Sequence, residues 1–223
     1  MCGRFTLTAE IEALKERFHA LFTAREYMKR FNIAPSQMVL AVINDGQQNR
    51  MGYMKWGLIP FWAKDPSIGY RMINARSETI HEKPAFRNAF QQRRCLILAD
   101  SFYEWEKDSG SKKKIPNRIL LKTGEPFAMA GLYEKWISPE KKEVFSCTIL
   151  TTEANEMIRP FHDRMPVILN RDGEKHWLDR EESQSFLHSL FVPYPTKEME
   201  HYRVSQVVNN AKNESMDCIE PII

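Results

Sequence analysis

The chain has few cysteines, no long apolar run and little excess charge, and each shortage removes a class of protein. The four cysteines are Cys2, Cys95, Cys147 and Cys218. No two are spaced as a zinc knuckle or a redox pair requires, which argues against a metal ribbon and a dithiol motif. Cys95 and Cys147 lie in apolar stretches and read as buried thiols. No apolar run approaches the roughly 20 residues that cross a bilayer, and no signal peptide is visible. The expected setting is a reducing cytoplasm, with no membrane partner. A net charge of +3 permits a nucleic-acid partner without arguing for one. Internal repeats and linkers are absent, so residues 1–223 read as one domain. The dipeptide Asn-Gly is also missing.

What is present is ordinary in bulk: 43% hydrophobic and 27% charged residues, in a chain long enough to bury a real core. Thr8 reads as an N-cap, followed at helical spacing by Ile11, Leu14, Phe18, Leu21 and Phe22. Phe31 to Pro35 is extended, because a residue before proline disfavours helix. Val39–Ile43 and Met51–Trp56 read as strands joined by a hairpin turn at Asn44-Asp45-Gly46. The span Trp56 to Ala63 reads as a rigid aromatic loop. Pro84 opens a helix to about Arg94. Cys95–Ala99 is an apolar strand that Asp100–Trp105 continues. Lys107–Lys114 is a polar surface loop. Strands follow at Arg118–Lys122, Phe127–Ala130 and Phe145–Thr151, and Thr152 caps a short helix to about Ile158. Helical segments close the body near Gly173–Leu178 and Ser183–Leu190. Many short strands with few long helices predict an α+β fold: a mainly antiparallel, barrel-like sheet core with peripheral helices.

Chemistry concentrates at the start. Cys2 follows the initiator methionine and is small enough for Met1 to be trimmed. Trimming puts an α-amine and a thiol on one residue. With a pKa of about 8, roughly one-tenth of such amines are neutral at pH 7, far more than of lysines at about 10.4. The amine can capture an aldehyde as a Schiff base, and the thiol can close it to a five-membered thiazolidine. Glu104, between Tyr103 and Trp105, reads either as a desolvated acid–base group or as a glutamate paired with an arginine. His162 reads as a proton shuttle or as a helix-end histidine. Asn74 and Arg76 share a face if extended, fit to grip a phosphate or sugar oxygen or simply each other. Trp56, Trp62 and Trp105 suit base stacking or core packing, with Arg4, Arg76 and Arg164 available to phosphates. No ligand set for a metal is visible, and no cofactor is expected.

Six segments occur in order: Met-Cys-Gly-Arg-Phe at 1–5, Asn-Ile-Ala-Pro-Ser at 32–36, Trp-Gly-Leu-Ile-Pro at 56–60, Ile-Asn-Ala-Arg-Ser-Glu at 73–78, Phe-Tyr-Glu-Trp at 102–105 and His-Asp-Arg-Met-Pro at 162–166. Together they resemble the SRAP family, the SOS-response-associated peptidase domain, over essentially the whole chain. The resemblance implies binding to single-stranded DNA and covalent capture of abasic sites through a thiazolidine at Cys2, in the response to DNA damage. It implies catalytic positions Cys2, Asn74, Glu104 and His162, and DNA contacts at Arg4, Trp62, Arg76, Arg164, Trp105 and Pro35. It also implies a peptidase activity, and the Schiff base adds a weak lyase activity. The expected protein is a monomer. Ser101 stands where the family often has glycine. Two other classes compete. N-terminal-nucleophile amidohydrolases also begin Met-Cys-Gly, but they rely on an Asn-Gly element that this chain lacks. A non-catalytic reader of single strands or junctions would bind without a covalent product.

Overall fold

The computed structural model describes residues 2–107 and 114–222. Most of the expected loop at Lys107–Lys114 lies outside the described residues. In chain order the strands are β1 (Phe5–Leu7), β2 (Ala20–Phe22), β3 (Arg30–Ile33), β4 (Met38–Asn44), β5 (Asn49–Trp56), β6 (Asn74–Arg76) and β7 (Arg94–Ala99). They continue as β8 (Ser101–Lys107), β9 (Lys114–Leu121), β10 (Phe127–Ile137), β11 (Glu143–Glu153), β12 (Arg164–Pro166), β13 (Ile168–Leu169) and β14 (Met199–Arg203). The helices are α1 (Ile11–Phe18), α2 (Arg87–Gln92), α3 (Arg171–Leu178) and α4 (Gln184–Ser189). None of the described helices is long and apolar enough to cross a membrane.

Five strands, β5-β4-β7-β10-β11, run antiparallel in sequence around a ring, and a parallel pairing of β11 with β5 closes it. The closing seam is short: Ser146 opposite Lys55 and Cys147 opposite Trp56. This is the barrel of the α+β expectation. Strand β7 is buried at every residue, because its inner side faces the barrel and α3 packs on it. Continuous burial explains why its sequence, Arg-Cys-Leu-Ile-Leu-Ala, does not alternate. Each fully buried aliphatic side chain of this kind contributes about 1.5–3 kcal/mol.

A second sheet, β14-β9-β8-β1-β3, lies beside the barrel. The chain passes from one sheet to the other at Asp100. The apolar strand therefore does not run on through Trp105; it ends at Ala99, and β8 starts in the other sheet. Asp100 explains the break. Its carboxylate accepts the Thr8 hydroxyl at 2.8 Å, and the Thr8 backbone N–H and Thr6 hydroxyl as well. Thr8 is thus committed to Asp100 and does not cap α1, whose N-cap is Glu10. The helix stops at His19, in the left-handed region at φ 46°, and Leu21 and Phe22 fall in β2. Similarly, Thr152 caps nothing: β11 runs to Glu153, and the Thr152 hydroxyl donates to the Phe191 carbonyl at 2.9 Å. The helix expected from Pro84 shortens to α2, and Arg94 is buried with its guanidinium on carbonyls of Phe90, Gln91, Trp177 and Asp179.

The aromatic loop after β5 begins with a required glycine. Gly57 has φ 128°, and a Cβ there would lie 2.6 Å from the Gly69 carbonyl oxygen. Trp56 itself is buried in the core, its Nε1 donating to the Ile73 carbonyl at 2.8 Å, while Phe61 and Trp62 stay exposed.

Candidate active site

Four separated parts of the chain meet around one cleft. The N-terminal arm is held by β8: Phe5 pairs with Phe102, Thr6 with Ser101, and the Tyr103 N–H donates to the Arg4 carbonyl at 2.9 Å. Extending that register puts Gly3 opposite Glu104, so Cys2 arrives beside the carboxyl. Phe5 packs edge-on to Trp56 at 5.1 Å. Trp56 in turn fixes Ile73, the residue before Asn74. The β6 strand pairs with β11, Asn74 opposite Ile149, which brings the Asn74 amide to the Cys2 carbonyl at 2.8 Å. Beyond β11, the turn leading into β12 delivers His162.

Cys2 is fully buried. Burial first, and the neighbouring Glu104 carboxylate second, push its thiol pKa up to about 12. The thiol therefore rests protonated. Glu104 is also buried, and burial raises its pKa above the ordinary glutamate range. Two groups that both resist ionisation, side by side, favour passing a proton over holding a charge. The Asn74 Oδ1 is buried with no hydrogen-bond partner among the described residues. An unmet acceptor at this point can take an N–H or a sugar hydroxyl.

His162 is partly buried, and burial lowers its pKa. Its Nδ1 accepts the Arg164 backbone N–H at 3.0 Å, yet Asp163 Oδ1 lies 2.6 Å from the same nitrogen. The backbone bond needs a lone pair on Nδ1; the carboxylate would draw a proton there. The depressed pKa favours the neutral ring with its proton on Nε2, a tautomer assigned from these partners.

Glu104 and His162 line a cleft of about 610 Å³ with Trp105, Lys114, Phe161, Gln206 and Asn209. Trp105 is held by its Nε1 on Asn209 Oδ1 at 2.7 Å, and the Arg4 guanidinium lies 5.9 Å from its ring centre. Arg4 also donates to Asn32 Oδ1 at 2.7 Å and the Val208 carbonyl at 2.8 Å. A smaller recess of about 370 Å³ adjoins the cleft through Asp163 and Arg164 and contains Arg76, Arg159 and Glu153. Trp62 lines a separate hollow with Lys64 and Arg71. Pro35 lies in the turn after β3 and lines neither the cleft nor the recess.

The structure thus links Asn74 to Cys2, Cys2 to Glu104, and Glu104 to His162 and Trp105 across the cleft, with Arg4 against Trp105 and Arg76 and Arg164 in the neighbouring recess. Sequence reasoning missed Phe161, Arg159, Gln206 and Asn209. The first two lie within three residues of His162 and were within reach. Gln206 and Asn209 come from a 3₁₀ turn, Gln206–Asn209, and only the capping serine, Ser205, marked that turn in advance.

Comparison with known proteins agrees along the whole chain. The family model described as SOS response associated peptidase (SRAP) matches residues 1–211. The abasic site processing protein YoaM of Bacillus subtilis (strain 168) is 52% identical over 99% of this chain and 98% of its own. The abasic site processing protein HMCES of Xenopus tropicalis is 32% identical over 80% of this chain and 59% of its own. Among solved structures, a protein from Bacteroides thetaiotaomicron shares the fold over all of both chains, with a TM-score of 0.90 at 24% identity. One from Bordetella bronchiseptica matches with a TM-score of 0.80 at 26% identity, over 92% of this chain and 100% of that one.

Proposed function

The chain belongs to the SOS response-associated peptidase family, and from that premise we propose that it processes abasic sites by linking itself covalently to them through Cys2. Abasic-site processing is the role its relatives' names carry; the covalent step is our reading of the site. One observation supports it above the others: residues from four distant segments meet, with Asn74 bonded to Cys2, Cys2 beside Glu104, and Glu104 lining one cleft with His162.

The proposed reaction begins with hydrolysis of the Met1–Cys2 peptide bond, which turns the Cys2 nitrogen into an amine. The abasic sugar opens to its aldehyde. The amine adds to C1′, and loss of one water gives the imine. The Cys2 sulfur then bonds to C1′ while its proton moves to the former imine nitrogen, closing the thiazolidine. Because the thiol is protonated below about 12, ring closure needs a proton carrier beside the sulfur. Glu104, with its raised pKa, can carry that proton and the one needed for ring opening. His162 hydrogen-bonds the departing hydroxyl through its Nε2–H while Glu104 supplies the proton that leaves with it as water. Asn74 orients the amine or the sugar hydroxyl through its unmet Oδ1. Trp105 and Arg4 offer a stacking face and a cation to a single strand, and Arg76 a cation for a phosphate. β-Elimination from the imine would give a weak lyase activity. The peptidase step is confined in this reading to removal of Met1.

The test is a denaturing gel of the protein with a single-stranded oligonucleotide bearing one abasic site, beside Cys2→Ala, with loss of Met1 checked by intact mass. A shifted band that requires Cys2 is expected. Absence of the band from protein lacking Met1 would reject the covalent reading and leave non-covalent DNA recognition.

A further inference from the structure

We propose that Glu78 is a positioning residue for this cleft, acting through Arg164 to hold His162 against the strand that carries Asn74. The inference deepens the covalent reading for its rate measurement, and stands on geometry alone for its spectroscopic one.

The contacts form a continuous path. Glu78 lies in the 3₁₀ turn Ser77–Thr79, directly after β6. Its two carboxylate oxygens accept Arg164 Nη1 and Nη2 at 2.6 and 2.8 Å, a fork meeting a fork. The same guanidinium donates to the Thr151 carbonyl. Thr151 donates its hydroxyl to the Ala75 carbonyl at 3.3 Å, between Asn74 and Arg76. At its other end, Arg164 donates its backbone N–H to His162 Nδ1 at 3.0 Å. Arg164 therefore touches β11 and the imidazole directly and reaches β6 through Thr151, and Glu78 fixes its outer end.

An exposed ion pair between two flexible side chains does little. This one differs because Arg164 is already immobilised, with only 12% of its side chain exposed, whereas Glu78 is 48% exposed. Arg164 Nε is buried with no partner among the described residues, and Nη1 has no acceptor among them besides Glu78. Removing Glu78 would strand a second nitrogen and give the guanidinium reason to turn. Hydrogen bonds from Arg164 hold the Glu78 carboxyl below its ordinary range, so the pair stays charged near neutrality. The competing role for Glu78 is that of a stand-in for a DNA phosphate on Arg164, displaced when DNA binds.

Variants E78A and E78Q, each lacking Met1, separate the two roles. Under the positioning role, the single-turnover crosslinking rate at saturating abasic oligonucleotide falls on the order of tenfold or more in E78A. E78Q, which keeps an acceptor for Nη1, recovers part of the rate. The half-saturating oligonucleotide concentration changes by less than about twofold. Long-range ¹H–¹⁵N spectra of the DNA-free protein show the Nε2–H tautomer of His162 in wild type and a changed pattern in E78A. A rate unchanged in both variants, or tighter binding at an unchanged rate, overturns the proposal. Should E78A not fold, E78Q is read by the same two measurements, with an intermediate rate expected. If wild type itself forms no crosslink, the covalent reading fails separately, and the His162 spectra still decide whether Glu78 positions the ring.

Discussion

Two buried glutamates, Glu104 and Glu174, differ in what surrounds the carboxyl. Burial raises the pKa of both. Each borders a hollow of similar size, about 610 Å³ at Glu104 and about 650 Å³ at Glu174. Their neighbours differ. Glu174 receives both nitrogens of the Arg17 fork, each at 2.8 Å, so its oxygens are committed to a cation. Glu104 faces a protonated thiol and shares its cleft with a neutral imidazole and, farther off, the Lys114 cation, with no arginine fork on it among the described residues. Volume and burial do not distinguish the two places. The difference lies in whether the surrounding groups can take or give a proton, and only the Glu104 cleft meets that condition on several sides.

The comparison breaks most sharply at Cys2. Cys2→Ala abolishes the crosslinked band, while Arg17→Ala, beside the larger hollow, leaves it. Next, Glu104→Gln slows crosslinking on the order of 10²-fold in single-turnover assays, whereas Glu174→Gln leaves the rate within about twofold. Equal effects of these two substitutions would erase the distinction. Glu174→Ala instead acts on stability: it leaves Arg17 largely buried without its partner and costs about 3 kcal/mol in urea unfolding. The pH dependence sharpens the Glu104 side. A carboxyl whose folded-state pKa is raised binds more protons folded than unfolded between its two values, so its contribution to stability falls as pH rises through that window. Glu104→Gln lacks this fall. Its urea midpoint should therefore gain on wild type as pH rises above the ordinary glutamate value of about 4.3. A constant gap from acid to neutral pH would count against the raised pKa. The smallest effect is expected from Asn209→Ala, which frees the Trp105 indole N–H at an exposed position and costs less than about 1 kcal/mol.

The strands were legible where their chemistry is local. Val39–Ile43, the Asn44-Asp45-Gly46 turn and the return to Trp56 follow from alternation and turn residues, and β4 and β5 pair as that pattern requires. Cys95–Ala99 was visible as an apolar run. Errors came where a distant partner outbid a local preference. Thr8 and Thr152 have good capping side chains, but Asp100 and the Phe191 carbonyl claim them. Strand propensity continues smoothly across Asp100, and nothing in the neighbouring residues announces a change of sheet. The site was legible through motif order, not spacing: Asn74 and Cys2 are 72 residues apart and meet through one hydrogen bond. The wall at Gln206 and Asn209 lay hidden for the same reason, since closure over Trp105 leaves no periodic trace in a tail of short turns.

The bond from Arg4 to the Val208 carbonyl spans 204 residues, and that distance is also an interval of time. A ribosome adding about 5–20 residues per second needs roughly 10–40 s to make the stretch between the two. For most of that period the first strand is outside the ribosome, but the segment that closes over it does not yet exist. A cysteine that is wholly enclosed in the finished molecule begins life accessible, so the Met1 removal that the proposed reaction requires has its window on the nascent chain. Slowing elongation downstream would lengthen that window, and a circular permutant with its ends elsewhere would abolish it.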